Sequence, residues 1–425
     1  MKILVVGGGG REHAIIRKLK ENPEVTQIVA LPGNAGIARD ATCVNIKTTD
    51  IDAIVEYAKA HPVDFAVVAP DDPLAMGCVD RLHDLGIPCF GPNARAARIE
   101  ASKVFAKDLM KKYHIPTAAY EVFDDARAAL KYVETCPLPV VVKADGLALG
   151  KGVVICFSRQ DAVSAVTAAM VESVFGASGS RIVCEEFLEG PEVSVLAFTD
   201  GHVVKPMVSS MDHKRAGDND TGLNTGGMGT IAPNPCYTDA VAERCMKEIF
   251  LPTIEAMNAE GCPFKGCLYF GLMVTKDGPK VIEYNCRFGD PETQGVLPLL
   301  QSDLLTIMQA VESETLKDTP VAFSDGAACC VMLASGGYPG KYEKGKVIHM
   351  GRADQMAQVY HSGTALNDRG EYVTAGGRVL GVSCTADTLE NAIEKAYSAA
   401  AEIKWDGMML RHDIGKRALS ILKGQ

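Results

Sequence analysis

A short apolar strand that runs directly into four glycines opens the chain and sets the fold class. Lys2 to Val6 has the composition of a buried strand, and the glycines from Gly7 to Gly10 lead into a helical pattern that continues to Lys20. Glycines between a strand and a helix let backbone N–H groups approach an anion at the positive end of the helix. We therefore predict an α/β domain with a parallel sheet. Its first turn either binds a phosphate or uses its glycines for packing alone.

A dinucleotide site is the first hypothesis for such a turn, but the spacing disfavours it. Glu12 stands where G-x-G-x-x-G requires the third glycine, and the second predicted strand, Gln27 to Leu31, ends in P-G-N-A-G without an acidic residue for a ribose. A single phosphate on a smaller ligand fits better than NAD. An NAD-dependent dehydrogenase remains an alternative that a lack of NADH fluorescence quenching would exclude.

Helices and strands alternate up to about residue 100. Residues 51–60 are predicted to be helical and residues 64–69 to form a strand, followed by P-D-D-P-L. Open α/β sheets bind ligands at the carboxyl ends of their strands, so Asp71 and Asp72 could contact a sugar hydroxyl or an amine. They could equally cap a predicted helix over residues 74–85.

A second glycine-rich segment follows a predicted helix over residues 101–113 that carries Lys103. Val140 to Val142 reads as a buried strand ending in Lys143, where an ammonium is costly unless it reaches water or an anion. The next loop sets Lys151 between two glycines, a composition typical of loops that cover phosphates, although Walker A spacing is absent. We predict phosphate binding by these lysines.

The segment E-E-F-L-E-G-P-E connects two predicted strands, residues 181–184 and 193–198. Strand alternation would place Glu185 and Phe187 on one face, and Glu186 and Leu188 on the other. Such a connection could offer backbone groups to a base and the Glu192 carboxylate to a ribose. It could also be an ordinary hinge.

Residues 211–229 are strongly polar and lie between folded segments. We expect a long loop here, and long polar loops inside compact domains are usually functional. Asp212, His213, Lys214 and Arg215 could together hold a small zwitterion. A mobile surface excursion is the alternative.

The segment V-I-E-Y-N-C-R-F-G-D-P-E-T-Q, residues 281–294, carries the strongest indication of chemistry. After a predicted turn at Asp277–Pro279, strand alternation places Glu283 and Asn285 on one face. Two hard oxygen donors followed by Arg287 suit Mg²⁺ or Mn²⁺ bridging to phosphate. An ordinary polar strand face is the alternative.

Charge and cysteine usage exclude several classes of protein. The net charge of -10 disfavours a broad nucleic-acid or membrane surface. No apolar run approaches the ~20 residues of a membrane span, and glycine follows too early for a signal peptide. The 14 cysteines lack a C-x-x-C pair, which predicts reduced thiols, a cytoplasmic location and no zinc site. From about Ala322 short strands with glycine turns indicate a smaller α+β unit.

Four of these segments together resemble the ATP-grasp ligases: K-A-D-G-L-A-L-G-K-G-V, E-E-F-L-E-G-P-E, D-H-K-R…D-N-D-T-G-L-N-T-G-G-M-G and E-Y-N-C-R-F-G-D-P-E-T-Q. More narrowly, they resemble the family that joins glycine to 5-phosphoribosylamine in purine synthesis. G-G-G-G-R-E-H, P-G-N-A-G, S-G-G-Y-P-G and G-G-R-V-L extend the resemblance over the whole chain. It implies an α/β and α+β protein with an N-terminal Rossmann-like parallel-sheet domain (1–101), a central ATP-grasp domain (102–322) whose mobile lid subdomain covers about 118–191, and a small C-terminal α+β domain (323–425).

The resemblance also implies a role for each motif. The phosphates of ATP would contact Lys103, Lys143, Gly150, Lys151 and Gly152. The adenine would contact Glu185, Glu186, Phe187 and Leu188, and the ribose would contact Glu192. Mg²⁺ or Mn²⁺ would be bound by Glu283 and Asn285. Glycine would contact Asp212, His213, Lys214 and Arg287. Phosphoribosylamine would contact Gly8, Gly9, Gly10, Arg11, Glu12, His13, Asn34, Ala35, Gly36 and Asp71. Lys143 and Arg287 would be the catalytic residues.

Two positions depart from the family pattern. Asp71 stands where glutamate is common, which shortens the reach to the ribosylamine, and Leu223 replaces a usual proline. The implied reaction is ADP-forming ligation through glycyl phosphate by a monomer, with small molecules as its only partners. Another ATP-grasp carboxylate–amine ligase and a non-catalytic nucleotide-binding regulator are the remaining alternatives. The retained set Lys143, Glu283, Asn285 and Arg287 disfavours the regulator.

Overall fold

The computed structural model describes residues 1–147 and 152–424, and its first unit is built on a parallel sheet. The strand that opens the chain lies at the centre of this sheet and pairs in parallel with its neighbours on both sides. In spatial order the strands are Thr42–Cys43, Gln27–Pro32, Lys2–Gly7, Phe65–Val68 and Cys89–Phe90. The apolar side chains of the central strand are fully buried, which explains its near-continuous hydrophobic sequence. The predicted parallel α/β sheet is confirmed.

The middle of the chain forms two antiparallel four-stranded sheets. One contains, in spatial order, Tyr120–Phe123, Ile182–Glu186, Val140–Ala144 and Val153–Cys156. The other contains Val204–Pro206, Glu192–Thr199, Gly266–Thr275 and Gly278–Asn285. The first sheet has its own apolar core, separate from the core that the second sheet shares with the N-terminal unit.

The C-terminal unit is organised around another antiparallel sheet. Its strands are Met211–Asp212, Gly229–Ala232, Ala327–Ser335, Arg378–Ala386 and Gln358–His361, and Met408–Met409 pairs with the third of them. Two short hairpins accompany it: Arg215–Gly217 with Thr221–Asn224, and Thr364–Leu366 with Tyr372–Thr374. The segment expected to be a loop, residues 211–229, therefore contains three short strands and ends at the first residue of a fourth, Gly229–Ala232. That expectation was wrong because pairing with the distant strand Ala327–Ser335, rather than local apolar content, makes Gly229–Ala232 a strand.

The helices cover the faces of these sheets. The α-helices are Gly10–Leu19, Ile51–Ala60, Asp71–Ala75, Cys78–His83, Ala94–Ala101, Lys103–Lys112, Ala126–Val133, Arg159–Val166, Asp239–Cys245, Leu251–Ala259, Glu292–Val296, Leu304–Glu312, Ala353–Met356, Leu389–Ala400 and Lys416–Leu422. Single π-turns, Thr167–Val171 and Met246–Phe250, extend two of them, and 3₁₀ turns occupy Ile37–Arg39, Gly176–Gly179, Asp218–Asp220, Leu297–Leu299 and Leu316–Asp318. None of the helices in the described ranges combines the length and apolarity needed to cross a membrane.

Two predicted helices have different bounds in the structure. The helix expected over residues 74–85 breaks at Gly77, whose φ of 81° lies in the left-handed region that glycine tolerates. Asp71 and Asp72 lie in the first turn of the first half and do not cap it with their side chains. The helix expected over residues 101–113 begins at Lys103, because the Ser102 hydroxyl accepts a hydrogen bond from Phe105 N and starts a new helix there. The turn expected at Asp277–Pro279 is also shorter, since the following strand already begins at Gly278.

Candidate functional site

A cavity of about 1250 Å³ lies between the two central sheets and reaches both outer units. Among the described residues, every one predicted to contact ATP, glycine or the metal ion lines it: Lys103, Lys143, Gly152, Glu185, Glu186, Phe187, Leu188, Glu192, Asp212, His213, Lys214, Glu283, Asn285 and Arg287. Gly150 and Lys151, predicted to bind phosphate, lie outside the described residues. The strands that carry these side chains come from sequence segments far apart, and the fold brings them to one place.

Lys143 is buried at the end of the strand Val140–Ala144, as the sequence predicted. Its Nζ lies 3.0 Å from Glu185 Oε2 and donates a hydrogen bond of 3.0 Å to the carbonyl of Ile282. Lys107 Nζ lies 3.0 Å from the same carboxylate oxygen, and burial lowers the pKa of Lys107 to about 8. Glu185 Oε1 is buried and accepts no hydrogen bond. A single carboxylate thus holds two ammonium groups at the wall of the cavity, which makes this wall attractive to an anion.

Lys103 supports the start of the second glycine-rich loop. Its Nζ donates a hydrogen bond of 2.8 Å to the carbonyl of Gly146, and burial lowers the pKa of Lys103. At the other end of the loop, the Gly152 carbonyl accepts a hydrogen bond from Ala144 N. Lys103 therefore lies beside both Lys143 and the loop, where its charge adds to theirs.

The connection from Glu185 to Glu192 forms a wall of the same cavity. Glu185 is buried and Glu186 is exposed, in agreement with strand alternation. The strand ends at Glu186, so alternation does not govern Phe187 and Leu188, and Phe187 packs against Phe157 with ring centroids 5.9 Å apart. Glu192 is half exposed and lies 3.3 Å from Lys214 Nζ. The aromatic ring of Phe187 and the half-exposed Glu192 carboxylate therefore lie along one wall.

Glu283 and Asn285 share one face of the strand Gly278–Asn285. Burial acts to raise the pKa of Glu283, but the nearby ammonium groups of Lys214, Lys143 and Lys103 lower it below its ordinary value, so the group is a carboxylate at neutral pH. Mg²⁺ is commonly bound through one or two protein oxygens together with substrate phosphates, and this donor pair fits such an ion. Within the described ranges, no cluster of three or more His, Cys, Asp or Glu could bind a metal by itself. Substrate oxygens would have to complete the coordination.

Arg287 follows that strand, and its guanidinium has a partner that the sequence did not reveal. Nη2 lies 2.9 Å from Glu100 Oε1 and 3.3 Å from Asn285 Oδ1, while Nε is buried without a hydrogen-bond acceptor. Glu100 Oε2 accepts a hydrogen bond of 2.7 Å from Cys286 N. One side of the guanidinium is thus fixed, and Nε remains available.

Asp212, His213 and Lys214 are consecutive residues that all line the cavity, but their side chains have different partners. Lys214 Nζ lies 3.3 Å from Glu192 and 3.5 Å from Glu283. His213 is buried, its Nδ1 is 3.2 Å from the Gly229 carbonyl and its Nε2 accepts a hydrogen bond from Gly415 N. Both ring nitrogens of His213 are therefore occupied by backbone. Asp212 Oδ1 is buried and accepts no hydrogen bond.

Of the residues predicted to bind phosphoribosylamine, Arg11 and Asp71 line the cavity and the others do not. A Cβ on Gly8 would lie 2.5 Å from the Gly33 carbonyl oxygen, and one on Gly10 would lie 2.5 Å from Ser362 Oγ, so close packing explains these glycines. Packing of this kind was the alternative that the sequence left open.

Several of the remaining residues of that group form the contact between the N-terminal and C-terminal units. Asn34 Nδ2 donates hydrogen bonds to the carbonyls of Gly8 and His361, and its Oδ1 accepts from Gly36 N. His13 is fully buried: its Nε2 lies 3.1 Å from Asp40 and its Nδ1 accepts from His361 N. Ala35 N donates to the Thr364 carbonyl, and Glu12 accepts from Gly9 N and holds Arg11.

Sequence reasoning missed several side chains that line this cavity. Three of them form buried polar contacts around the predicted site: Glu100 with Arg287, Tyr269 with Ser194, and Arg378 with Asp290. Glu292 lies in the conspicuous segment D-P-E-T-Q, which could have suggested a role. Glu100 sits in an ordinary amphipathic helix, and nothing in the local sequence distinguishes it.

Three family models together match most of the chain. They describe the N domain of phosphoribosylglycinamide synthetase at residues 1–100, its ATP-grasp (A) domain at residues 101–293 and its C domain at residues 328–417. The ATP-grasp domain match spans the strands that form most of the cavity wall.

Curated relatives match over the full length. Phosphoribosylamine–glycine ligase of Vibrio vulnificus is 45% identical over 425 residues, which covers 99% of each chain. The ligase of the same name from Caldanaerobacter subterraneus is 46% identical and covers 97% of this chain and 99% of its own.

Solved structures confirm the architecture. The crystal structure of phosphoribosylamine–glycine ligase from Thermotoga maritima has a TM-score of 0.87 and 34% identity, with 97% of this chain and 100% of that chain covered. A biotin carboxylase complex from Campylobacter jejuni, 17% identical, has a TM-score of 0.74 over 96% of this chain and 92% of its own, and it shows the shared fold alone. On these grounds the chain belongs to the phosphoribosylglycinamide synthetase family, whose curated members carry the name phosphoribosylamine–glycine ligase.

Proposed function

We propose that this chain is an ADP-forming carbon–nitrogen ligase that joins glycine to 5-phosphoribosylamine in purine biosynthesis. The observation that carries the proposal is the convergence, in one cavity, of Lys143, Glu283, Asn285 and Arg287. These four side chains supply charge for phosphates, oxygens for a divalent ion and a fork-shaped donor for a carboxylate. The full-length similarity to ligases of that name supports the same assignment.

The chemical problem explains why the site is rich in charge and poor in acid–base groups. Oxide is too poor a leaving group for an amine to displace from a carboxylate. The glycine carboxylate therefore attacks the γ-phosphorus of ATP, the bond to ADP breaks, and glycyl phosphate forms. The amine of phosphoribosylamine then attacks the acyl carbon, phosphate leaves with the bonding electron pair, and the nitrogen loses a proton. Positioning and charge neutralisation dominate such phosphoryl transfer.

Each part of the cavity contributes one function to this sequence. Lys103 and Lys143 bind phosphate oxygens and offset the charge that develops at the γ-phosphate. Glu283 and Asn285 would hold a divalent ion, Mg²⁺ or Mn²⁺, which when bound would neutralise part of the charge of the phosphates. Gly150 and Lys151, although outside the described residues, and Gly152 belong to the same phosphate site.

The nucleotide base and ribose are assigned to the connection that ends in Glu192. Backbone groups of Glu186, Phe187 and Leu188 face the adenine, and the half-exposed Glu192 carboxylate faces the ribose hydroxyls. Glu185 forms ion pairs with Lys107 and Lys143, so we assign it the positioning of those lysines rather than a contact with the adenine. We divide the chain into three domains, residues 1–101, 102–322 and 323–425. The lid over the nucleotide is the part of the second domain at about residues 118–191.

Glycine and the ribosylamine are assigned to the remaining residues that line the cavity. Arg287 binds the glycine carboxylate, Asp212 and Lys214 lie beside it, and His213 positions them through its two backbone contacts. Arg11 and Asp71 are the contacts proposed for phosphoribosylamine within the cavity. Glu12 and the Phe288 carbonyl hold the Arg11 guanidinium. The other residues of the segments Gly8–His13 and Asn34–Gly36 remain proposed contacts of phosphoribosylamine, although they do not line the cavity. We propose a cytoplasmic monomer for this reaction.

Oxygen transfer from the carboxylate distinguishes this route from other uses of ATP. With glycine labelled by ¹⁸O in its carboxylate, each turnover should place one labelled oxygen in the released phosphate, because that oxygen forms the bond to phosphorus. Mass spectrometry of the phosphate is the measurement. Unlabelled phosphate formed alongside the amide product would contradict the glycyl phosphate route. Parallel assays with other amino acids would identify a different ATP-grasp ligase, the remaining alternative.

A further inference from the structure

A short hairpin, residues 215–224, lies between the cavity and solvent and has no apolar anchor. None of its residues is buried, and Leu223, its one large apolar side chain, is 65% exposed. In the described part of the chain, its hydrogen bonds to distant segments all go to residues 411–413 of the C-terminal unit. A two-stranded hairpin is barely stable alone, so these contacts fix its position. The hairpin residues that line the cavity are Arg215, Asn219, Asp220 and Asn224.

Arg411 connects this hairpin to the C-terminal unit, and its side chain is only 2% exposed. Its Nη1 donates a hydrogen bond of 2.8 Å to Asp220 Oδ1 and one of 3.2 Å to the carbonyl of Arg215. On the other side of the guanidinium, Nε and Nη2 each lie 2.8 Å from a different oxygen of Asp413. The guanidinium therefore bridges the hairpin and the segment to which Arg411 itself belongs.

The two residues that follow Arg411 hold the backbone at the tip of the hairpin. Asp413 Oδ2 accepts a hydrogen bond of 2.8 Å from Asn219 N, and His412 N donates one of 2.7 Å to Asp218 Oδ1. Asn219 and Asp220 have φ values of 56° and 53°, in the left-handed region that costs free energy for residues other than glycine. The tip keeps this conformation because the neighbouring segment satisfies its polar groups.

The supporting segment is itself held at two further points. Tyr397 OH donates a hydrogen bond of 2.7 Å to the Arg411 carbonyl and accepts one of 2.9 Å from Ile414 N. Gly415 N donates a hydrogen bond of 3.1 Å to His213 Nε2, and His213 lines the cavity. The hairpin is therefore held against a support that is connected both to a helix of the C-terminal unit and to the cavity wall.

We infer that Arg411 is a positioning residue, which keeps the hairpin closed so that water does not reach the glycyl phosphate intermediate. The inference rests on the proposed function, in which this acyl phosphate must survive until the amine attacks it. If water entered, its oxygen would attack the acyl carbon, the bond to the phosphate oxygen would break, and phosphate would leave with the electron pair. The water would lose a proton, glycine would be regenerated, and ATP would be consumed without forming amide. Closure of an active site commonly prevents hydrolysis of a reactive intermediate in this way.

Arg411→Lys tests this role, because a lysine keeps the charge but cannot contact Asp413 through two donors and also reach Asp220. Amide hydrogen exchange in residues 215–224 should become about tenfold faster, the loss expected for a hydrogen bond between charged groups. The variant should also form more ADP than amide, and this excess ADP should require glycine but not phosphoribosylamine. A simple loss of folded enzyme would lower ADP and amide together and would leave their ratio unchanged.

Arg352→Lys is the matched control. Arg352 Nη2 lies 2.8 Å from Glu402 Oε1 in the same unit and does not line the cavity, so neither measurement should change. Unchanged hydrogen exchange in Arg411→Lys would overturn the positioning role, and faster exchange without glycine-dependent excess ADP would overturn the exclusion of water. If Arg411→Lys does not fold, Asp220→Ala carries the same prediction, because it removes an exposed carboxylate and leaves the contacts of Arg411 with Asp413 intact.

Failure of the proposed function has a different signature. If the unmodified protein forms no amide from glycine and phosphoribosylamine, the proposed function fails and the exclusion of water fails with it. Hydrogen exchange in residues 215–224 needs no substrate, so it decides separately whether Arg411 holds the hairpin.

Discussion

The Arg287 guanidinium is held by Glu100, whose Oε1 lies 2.9 Å from Arg287 Nη2. The other carboxylate oxygen of Glu100 accepts a hydrogen bond from Cys286 N, so this one side chain fixes both the end of the strand and the guanidinium that follows it. Burial raises the pKa of Glu100 while Arg287 acts in the opposite direction. Arg287 therefore favours the charged form of Glu100, and Glu100 holds the Arg287 guanidinium in position.

Glu100→Gln should weaken the use of glycine without removing any group that touches it. The amide can accept only on one side, so either Arg287 or Cys286 N loses its acceptor, at a cost of about 1–3 kcal/mol. We expect kcat/KM for glycine to fall by about tenfold and the KM for ATP to stay within about twofold. Steady-state kinetics with each substrate varied in turn is the measurement, and an equal effect on ATP would contradict a positioning role.

Arg287→Lys tests whether the two parallel N–H donors of the guanidinium are needed for glycine. A lysine keeps the charge but cannot bind a carboxylate through two parallel N–H donors, so use of glycine should suffer far more than binding of ATP. The two effects are measured separately: titration calorimetry gives the affinity for ATP, and steady-state kinetics gives the KM for glycine. Comparable losses of both would exclude Arg287 as the contact for the glycine carboxylate.

Glu283→Gln should raise the divalent-ion concentration needed for half-maximal activity by about tenfold or more, since a neutral amide is a much weaker ligand than a carboxylate. The change would appear in a Mg²⁺ titration at saturating ATP. Glu189→Gln serves as the control because its exposed carboxylate is not part of the proposed ion site. A titration curve that does not move would exclude Glu283 as a ligand.

Acid should destabilise the protein through His213. Burial lowers the pKa of His213 to about 4 from an ordinary value of 6.5, so between these values the unfolded chain binds a proton that the native protein does not. The stabilisation is complete above about pH 6.5 and is lost as the pH falls toward 4, by up to about 3 kcal/mol. Protonation would also set an N–H of the ring against Gly415 N–H.

The check is the free energy of unfolding in urea measured at several pH values from 7 to 4.5. Glutamine can offer both an acceptor and a donor to the backbone, so His213→Gln should lose less stability on acidification than the unmodified protein does. Identical slopes for the two proteins would show that His213 does not contribute to acid sensitivity.

The rate at which the thiols react tests whether most cysteines are buried. Of the 14 cysteines, all are free, and only Cys43 and Cys236 are partly exposed. Burial raises the pKa of both of these thiols as well, which further slows their reaction. Titration of the native protein with a chromogenic disulfide at neutral pH should give at most two thiols in the fast phase. Rapid reaction of several more thiols would contradict the packing described here.

Elements with a strong local pattern could be predicted from the sequence. The helix Ile51–Ala60 has the predicted bounds, because amphipathic spacing defines it. The strand Gln27–Pro32 extends the predicted one, Gln27 to Leu31, by a single residue, because continuous apolar content defines it. The placement of Glu283 and Asn285 on one face also followed from local periodicity. The break at Gly77 was missed, and the helix predicted from residue 101 begins two residues later, since a helical pattern continues across both positions.

Long-range partners could not be predicted in the same way. Gly229–Ala232 becomes a strand by pairing with residues about a hundred positions later in the chain, and Glu100 meets Arg287 only because the fold brings their elements together. The packing role of Gly8 and Gly10 was equally hidden, since Gly33 and Ser362 lie in other segments. Motifs therefore indicated which chemistry to expect, while the supporting contacts required the structure.

Formation of ADP decides whether this protein ligates glycine to phosphoribosylamine. It is measured with ATP, glycine and freshly prepared phosphoribosylamine, and again with glycine or phosphoribosylamine omitted in turn. We expect sustained ADP formation only when both are present, in equal amount to the amide product. ADP formation that does not depend on phosphoribosylamine, or that proceeds equally well with another amino acid in place of glycine, would contradict it.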